Sequence, residues 1–234
     1  MAPTHGKNAD VFGNGYVLSP FLNSASFAGK RDSAETTTFK KNSKTFIPGL
    51  KDTTLALAGV WDGVTDAIDD IFYQALNSGS GVFSYIPAGQ EVVGSRVWTM
   101  DSISIKYDVN TAIGGVAQCS ADFMVADGGS FTRGVVNHPL FNEVALGSGA
   151  TVNNAVATVN GGGLTVHATT PSVSLVVFLQ DSADGTTWAD LPGSVVIPSG
   201  VRSSQSLNIS GTIRQYTRVR WTGTGQFMSI TERL

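Results

Sequence analysis

Four aspartates, Asp62, Asp66, Asp69 and Asp70, recur at the spacing that places carboxylates on one side of a helix. Paired carboxylates do general acid–base work when burial or close coupling separates their pKa values. Here they alternate with an apolar stripe that takes the other side, so they read as an exposed acidic face. The histidines, His5, His138 and His167, are far apart and have no second His or Cys at metal-ligand spacing. Cys119, the sole cysteine, falls in the apolar phase of a strand pattern and reads as a small core residue; no internal disulfide is possible. No nucleophile elbow, phosphate loop or dinucleotide-binding glycine pattern occurs. These residues point away from an enzyme, and no cofactor or metal is expected.

Arg218 and Arg220 share one strand face at period two, with Arg214, Tyr216 and Trp221 nearby. Two readings stay open: a solvated strand face, or contact with an anionic glycan, the aromatics stacking on sugar. The Asn208-Ile209-Ser210 sequon has meaning only in a secreted chain.

Composition narrows the class. Of 234 residues 41% are hydrophobic and only 14% charged, against ~25% charged in ordinary soluble domains. Ser, Thr, Asn and Gly carry the polar surface, which favours strands. The net charge of −3 argues against a protein that coats nucleic acid, which would show a basic stripe. No apolar run reaches the ~18 residues that span a bilayer, so no membrane segment is expected. Residues 1–10 are polar and lack a signal-peptide core, which implies synthesis in a cytoplasm.

The elements that position these residues fall into two parts. Residues 1–146 are net acidic; residues 147–234 carry five arginines and no lysine. The Gly/Ser-rich segment at 146–150 is the expected boundary, giving domains 1–146 and 147–234. In the first, strands are expected near 16–28, 30–38, 53–61, 81–87, 92–109 and 114–126. A helix is expected from Gly63 to Leu76, with Asp62 as its cap, Asp66 in its first turn, and Val64, Ile68, Ile71, Phe72, Ala75 and Leu76 on its buried face. Phe39 to Phe46 reads as a polar, lysine-bearing loop, and Ile47 to Asp52 as a turn.

The segments at 92–109 and 114–126 read as a long hairpin. Its apolar phase slips by one residue near Asp101-Ser102, which a strand accommodates through a bulge. Ser102, Ser104, Lys106 and Asp108 on one strand, with Gln118, Ser120 and Asp122 on the other, form its expected polar face. Residues 150–234 show short strands at regular spacing, as in a small Ig-like β-sandwich. Phe178, Trp188 and Trp221 read as its core.

The order Thr37-Thr38-Phe39, Ile47 to Asp52, then Trp61-Asp62-Gly63 and a helix resembles the tail tube (major tail) proteins of long-tailed, non-contractile bacteriophages, over roughly the first 145 residues. The resemblance implies a mainly β fold: a tail-tube-type sandwich or barrel-forming domain with one helix, here followed by the small sandwich, placed on the tube exterior. It implies a non-enzymatic virion tail protein that assembles with itself into hexameric rings stacked as a tube for DNA ejection. It also implies a tape measure protein inside the tube, tail-end proteins at its ends, and DNA passing without specific binding.

Within that frame Phe39, Lys40, Lys41, Asn42, Ser43, Lys44, Thr45 and Phe46 are the expected inter-ring stacking loop. The seven polar hairpin residues are the expected lumen lining. The four aspartates are the expected inter-subunit acidic face. The competing reading is a decoration protein, or one that binds a host-surface glycan.

Overall fold

The computed structural model describes residues 6–126, 131–143 and 145–234. Strands dominate, with one α-helix among the described residues: β1 Asp10–Gly13, β2 Tyr16–Val17, β3 Leu22–Glu35, β4 Phe46–Val60, α1 Ile68–Ser78, β5 Gly81–Ile86, β6 Arg96–Asn110, β7 Gln118–Val125, β8 Phe131–Glu143, β9 Gly147–Ser148, β10 Val152–Asn153, β11 Gly162–Pro171, β12 Leu175–Ser182, β13 Ala189–Asp190, β14 Val195–Ile197, β15 Ser203–Ile209, β16 Tyr216–Thr222 and β17 Gly225–Arg233. The expected mainly β class with one helix is what forms, and the strand ladders are antiparallel.

Two compact units result. One comprises residues 1–20, 80–101 and 130–234; the other comprises 21–79 and 102–129. These differ from the expected division at 146. The reason is β17, which pairs with β11 on one side and with β8, from before the Gly/Ser segment, on the other. β8 itself was not expected, because Gly134 and Pro139 interrupt its pattern. The ladder absorbs Pro139 through an extra β8 residue: Phe227 pairs with Phe141, but Ser229 pairs with His138.

In the first unit, β15, β11, β17, β8, the start of β6, β5, β1 and β2 follow one another as neighbours. A second sheet holds β10, β16, β12 and β13, with β14 and β9 at its sides. Leu164, Val166, Ala168 and Phe227 of the first sheet meet Leu175, Val177, Leu179, Val219 and Trp221 of the second in one core. Trp221 is core as expected. Phe178 and Trp188 are only half-buried and lie outside it.

The opposite face of the first sheet is unusually polar for its burial. His167 Nε2 and Nδ1 bond the hydroxyls of Ser84 (2.7 Å) and Ser204 (2.6 Å), and Ser84 continues to Thr99 at 3.3 Å. Glu232 accepts from Thr165 Oγ1 at 2.9 Å, and Thr165 in turn meets Ser206 at 2.8 Å. Hydroxyls therefore satisfy these buried groups where no ion pair does. Burial drives the His167 pKa down to about 3 and pushes that of Glu232 up.

The second unit is a four-stranded sheet in the order β3–β4–β7–β6, using Ser102–Asn110 of β6. Helix α1 begins at Ile68, later than expected, and Ala67 precedes it without a side-chain cap. Asp69 and Asp70 occupy its first turn, where carboxylates favour the helix dipole. Asp62 instead accepts the Val64 N–H, and Asp66 sits before the helix with a positive φ of 65°. Gly79, left-handed at φ 78°, ends it.

Candidate functional site

Ile68, Ile71, Phe72 and Ala75 are the buried stripe of α1, while Val64 and Leu76 stay exposed. The Phe72 ring meets Phe123 at 6.2 Å and Tyr107 at 6.4 Å, both edge-on. On the covered face of the sheet, Leu55 and Leu57 of β4 pair with Phe123 and Ala121 of β7. Burying each large side chain there stabilises the unit by roughly 1.5–3 kcal/mol. Gly59 makes the close approach possible: a Cβ there would lie 2.2 Å from the Phe21 carbonyl oxygen and 2.8 Å from Ile68 Cδ1.

The other face of the sheet is bare. The registers place Ser24 and Ser26 of β3 beside Ala58 and Ala56 of β4, and these beside Ser120 and Asp122 of β7. Lys106, Asp108 and Asn110 of β6 complete the row opposite Asp122, Ser120 and Gln118. Most of these side chains are small or polar, with Val60, Ile103 and Met124 the larger apolar groups on the same face, and Lys106 Nζ lies 2.5 Å from the Asp108 carboxylate. That hydrogen bond and charge, with Asp122 adding to them, raise the Lys106 pKa.

Five of the seven expected lining residues share this face: Lys106, Asp108, Gln118, Ser120 and Asp122. Ser102 and Ser104 do not. They pair with Val125 and Phe123 and so lie on the helix side, and Ser102 is buried. The ladder slips between Ser104 and Lys106, so Ile105 is the extra residue that reverses the alternation. The slip expected near Asp101-Ser102 lies instead at Ile105.

The β3–β4 hairpin extends beyond the helix-covered part as an arm. Every residue from Ala28 to Lys51 is exposed. Phe39 to Phe46 lies at its tip, with Phe39 fully exposed. Lys44 pairs with Glu35 at 3.1 Å. Ile47 to Asp52, expected as a turn, belongs to β4. Arg31 pairs with Lys51 and Ser33 with Pro48, so an extra residue on β4 accommodates Pro48 and Gly49 within a two-stranded ribbon.

The four aspartates do not act as one face. The Asp69 carboxylate accepts the Trp61 indole N–H at 2.7 Å and the Tyr107 hydroxyl. Asp70 accepts the Asp66 N–H at 3.2 Å. Asp69 thus ties β4, α1 and β6 together, a role that helical spacing alone does not reveal. Desolvation, with the Asp69 contact adding to it, raises the Tyr107 pKa.

The arginines of β16 are likewise engaged. Arg218 lies over Trp188 at 4.2 Å and bonds Gln180; Arg220 lies over Phe178 at 4.4 Å and pairs with Asp190 at 2.7 Å. With Trp221 in the core, the expected sugar-stacking pair is not available. Among the described residues no group of three or more His, Cys, Asp or Glu converges as metal ligands.

No protein-family model matches the chain, and no curated protein matches it. Among solved structures, the tail of an empty gene transfer agent particle with C6 symmetry aligns at 15% identity and TM-score 0.46, over 56% of this chain and 99% of that one. The SPP1 tail tube aligns at 13% identity and TM-score 0.47, over 56% and 78%. The SPP1 Dit protein, of the hub adsorption apparatus of Gram-positive-infecting phages, aligns at 12% identity and TM-score 0.40, over 97% and 99%. The first two of these structural neighbours are a tail and a tail tube.

Proposed function

We propose that this chain is a structural virion protein, a tail tube subunit whose sheets join into rings and whose rings stack into a conduit for DNA. One observation carries the reading: the β3–β4–β7–β6 sheet has one face sealed by α1, one bare face of mostly small and polar side chains, and open edges on β3 and the outer part of β6. Among the described residues β3 pairs only with β4, and Lys106–Asn110, the outer part of β6, pairs with β7. Open edges invite pairing with another chain. A four-stranded sheet cannot enclose a duplex alone, since aqueous channels need roughly 16 strands or more. Several copies joined edge to edge reach that number with the bare faces inward.

Such a lumen suits passage over retention. Phosphates are held by cations through counterion release, and the bare face sets Lys106 against Asp108 and Asp122. Six subunits per ring, a tape measure protein within and tail-end proteins at the ends follow from the family resemblance of the motif order. Electron microscopy of the purified protein tests the reading: stacked rings or tubes are the expected result, and monomers at every concentration and salt condition would sink it.

A further inference from the structure

A groove of about 760 Å³ opens in the first unit, and every residue along it belongs to that unit. Its volume lies in the range of roughly 300–1,000 Å³ that holds a small ligand or a few residues of a peptide. Pro87, Val92, Val93, Trp98, Val135 and Val152 give it an apolar lining. The Trp98 ring stacks on Tyr85 of β5 at 6.3 Å. Both walls are tied down. On one side Gln90 accepts the Leu140 N–H, and Gly94 N–H and Ser95 carbonyl bond the Val136 carbonyl and N–H at 2.8 and 2.9 Å. On the other, the Arg233 guanidinium donates to the carbonyls of Asn154 and Val156, and Asn153 Oδ1 accepts the Ala155 N–H at 2.9 Å. Ala155 is held there at a positive φ of 67°, which costs an L-residue energy. A preformed groove spares an incoming chain part of the ordering cost.

Two further features meet the groove. β10, whose Asn153 lines it, is the end strand of its sheet and among the described residues pairs only with β16. Asn154 N–H bonds the Gln215 carbonyl, so the alternation of an antiparallel ladder turns the Asn153 N–H and carbonyl away from β16. Arg96, in the groove, and Arg133, directly across from Trp98 on β8, are exposed, and among the described residues neither pairs with a carboxylate. We propose that the groove takes an extended peptide segment of a partner protein that carries a large apolar side chain and, two residues along, a carboxylate. Asn153 exchanges main-chain hydrogen bonds with the segment, as edge addition does. The apolar side chain enters among Val92, Val93 and Trp98. Side chains two residues apart on an extended chain share a face, so the carboxylate follows toward Arg96 and Arg133, whose guanidinium forks match it. The arm of a second copy does not fit this charge, since residues 28–51 carry six Lys and Arg against Asp32 and Glu35. The groove is complete in one chain, whether or not rings form.

A spot array of blocked hexapeptides tests the site with the full chain. Their sequence is Thr-Thr-X-Thr-Z-Thr, with X a Leu, Ile, Val, Phe or Trp and Z a Glu, Asp, Gln or Lys. The chain should bind members with Glu or Asp, bind those with Gln about tenfold more weakly, and leave those with Lys unbound. Calorimetry on the best member, N-methylated on alternate amides, should show one set abolishing binding and the other sparing it, because an edge is met by every second residue. Arg96→Ala with Arg133→Ala, both exposed, should keep the thermal midpoint and erase the preference for acid over amide. Val92→Asp, also at an exposed position, should weaken every member by about tenfold. An array with no binding above background, a preference for Lys, or a trimer of galacturonic acid bound more tightly than the best peptide overturns this site. Unchanged binding by Val92→Asp or by the arginine pair does the same, as does equal loss from both N-methyl sets.

Discussion

The hydroxyl of Tyr107 on β6 donates to the Asp69 carboxylate on α1, the same oxygen that accepts the Trp61 indole N–H. Three elements of the second unit thus meet at one acceptor. Replacing it strands two donors, one of them on a half-buried tyrosine. Asp69→Ala should destabilise the unit by about 2 kcal/mol, and Tyr107→Phe by about 1 kcal/mol. Urea unfolding followed by tryptophan fluorescence measures both. Equal stability of Asp69→Ala and the parent chain would show that the helix is held by packing alone.

The polar interior of the first unit makes stability depend on pH in two directions. His167 binds its proton near pH 3 when folded and near 6.5 when unfolded. The unfolded chain takes up the proton first, so stability falls as pH drops below about 6.5, by up to ~1.4 kcal/mol per unit. Glu232 is the reverse: its raised folded pKa, with Asp101 nearby adding to the effect of burial, means stability falls as pH rises above about 4.5 through the folded value. Thermal midpoints measured from pH 4 to 8 should therefore show Glu232→Gln losing less stability than the parent on the alkaline side. The acid side should be unchanged in that variant. A parallel shift at every pH would remove the carboxyl group from this account.

The charge balance of the bare sheet face is testable in assembled tubes. Asp108→Asn with Asp122→Asn leaves Lys106 unopposed once per subunit, a ring of cations if the face lines the lumen. Such tubes should retain a short DNA duplex at low salt and release it as salt rises, whereas the parent tubes should retain little under either condition. Retention that is identical in the two, measured by co-sedimentation with labelled duplex, would place this face away from the channel.

Patterns of regular period were legible in the sequence; departures from them were not. The stripe Ile68, Ile71, Phe72, Ala75 announced a helix and its buried side, because four residues at 3.6-residue spacing have little other reason to be apolar. The alternation Cys119, Ala121, Phe123 likewise announced β7 and its covered face. Ser102 and Ser104 went to the wrong face because serine suits either side of a sheet, and only the ladder shows that Ile105 is supernumerary. β8 was missed because Pro139 argues against a strand until a bulge is known to accommodate it. Spacing groups the aspartates, yet partners distant or local in the chain place three of the carboxylates: Trp61 and Tyr107 for Asp69, Val64 for Asp62 and the Asp66 N–H for Asp70.

The bulge at Ile105 also determines which sequence changes β6 tolerates. Ser104 and Tyr107 face the helix and Lys106 faces away because Ile105 stands outside the alternation. Deleting Ile105 would make Ser104 and Lys106 consecutive residues opposite Phe123 and Asp122, so the ladder would become regular and Tyr107 would keep its place beside Asp69. A regular strand that loses one residue turns its remaining side chains to the wrong face; β6 can lose one here without that reversal, and the segment should accept a change of length where its neighbours do not.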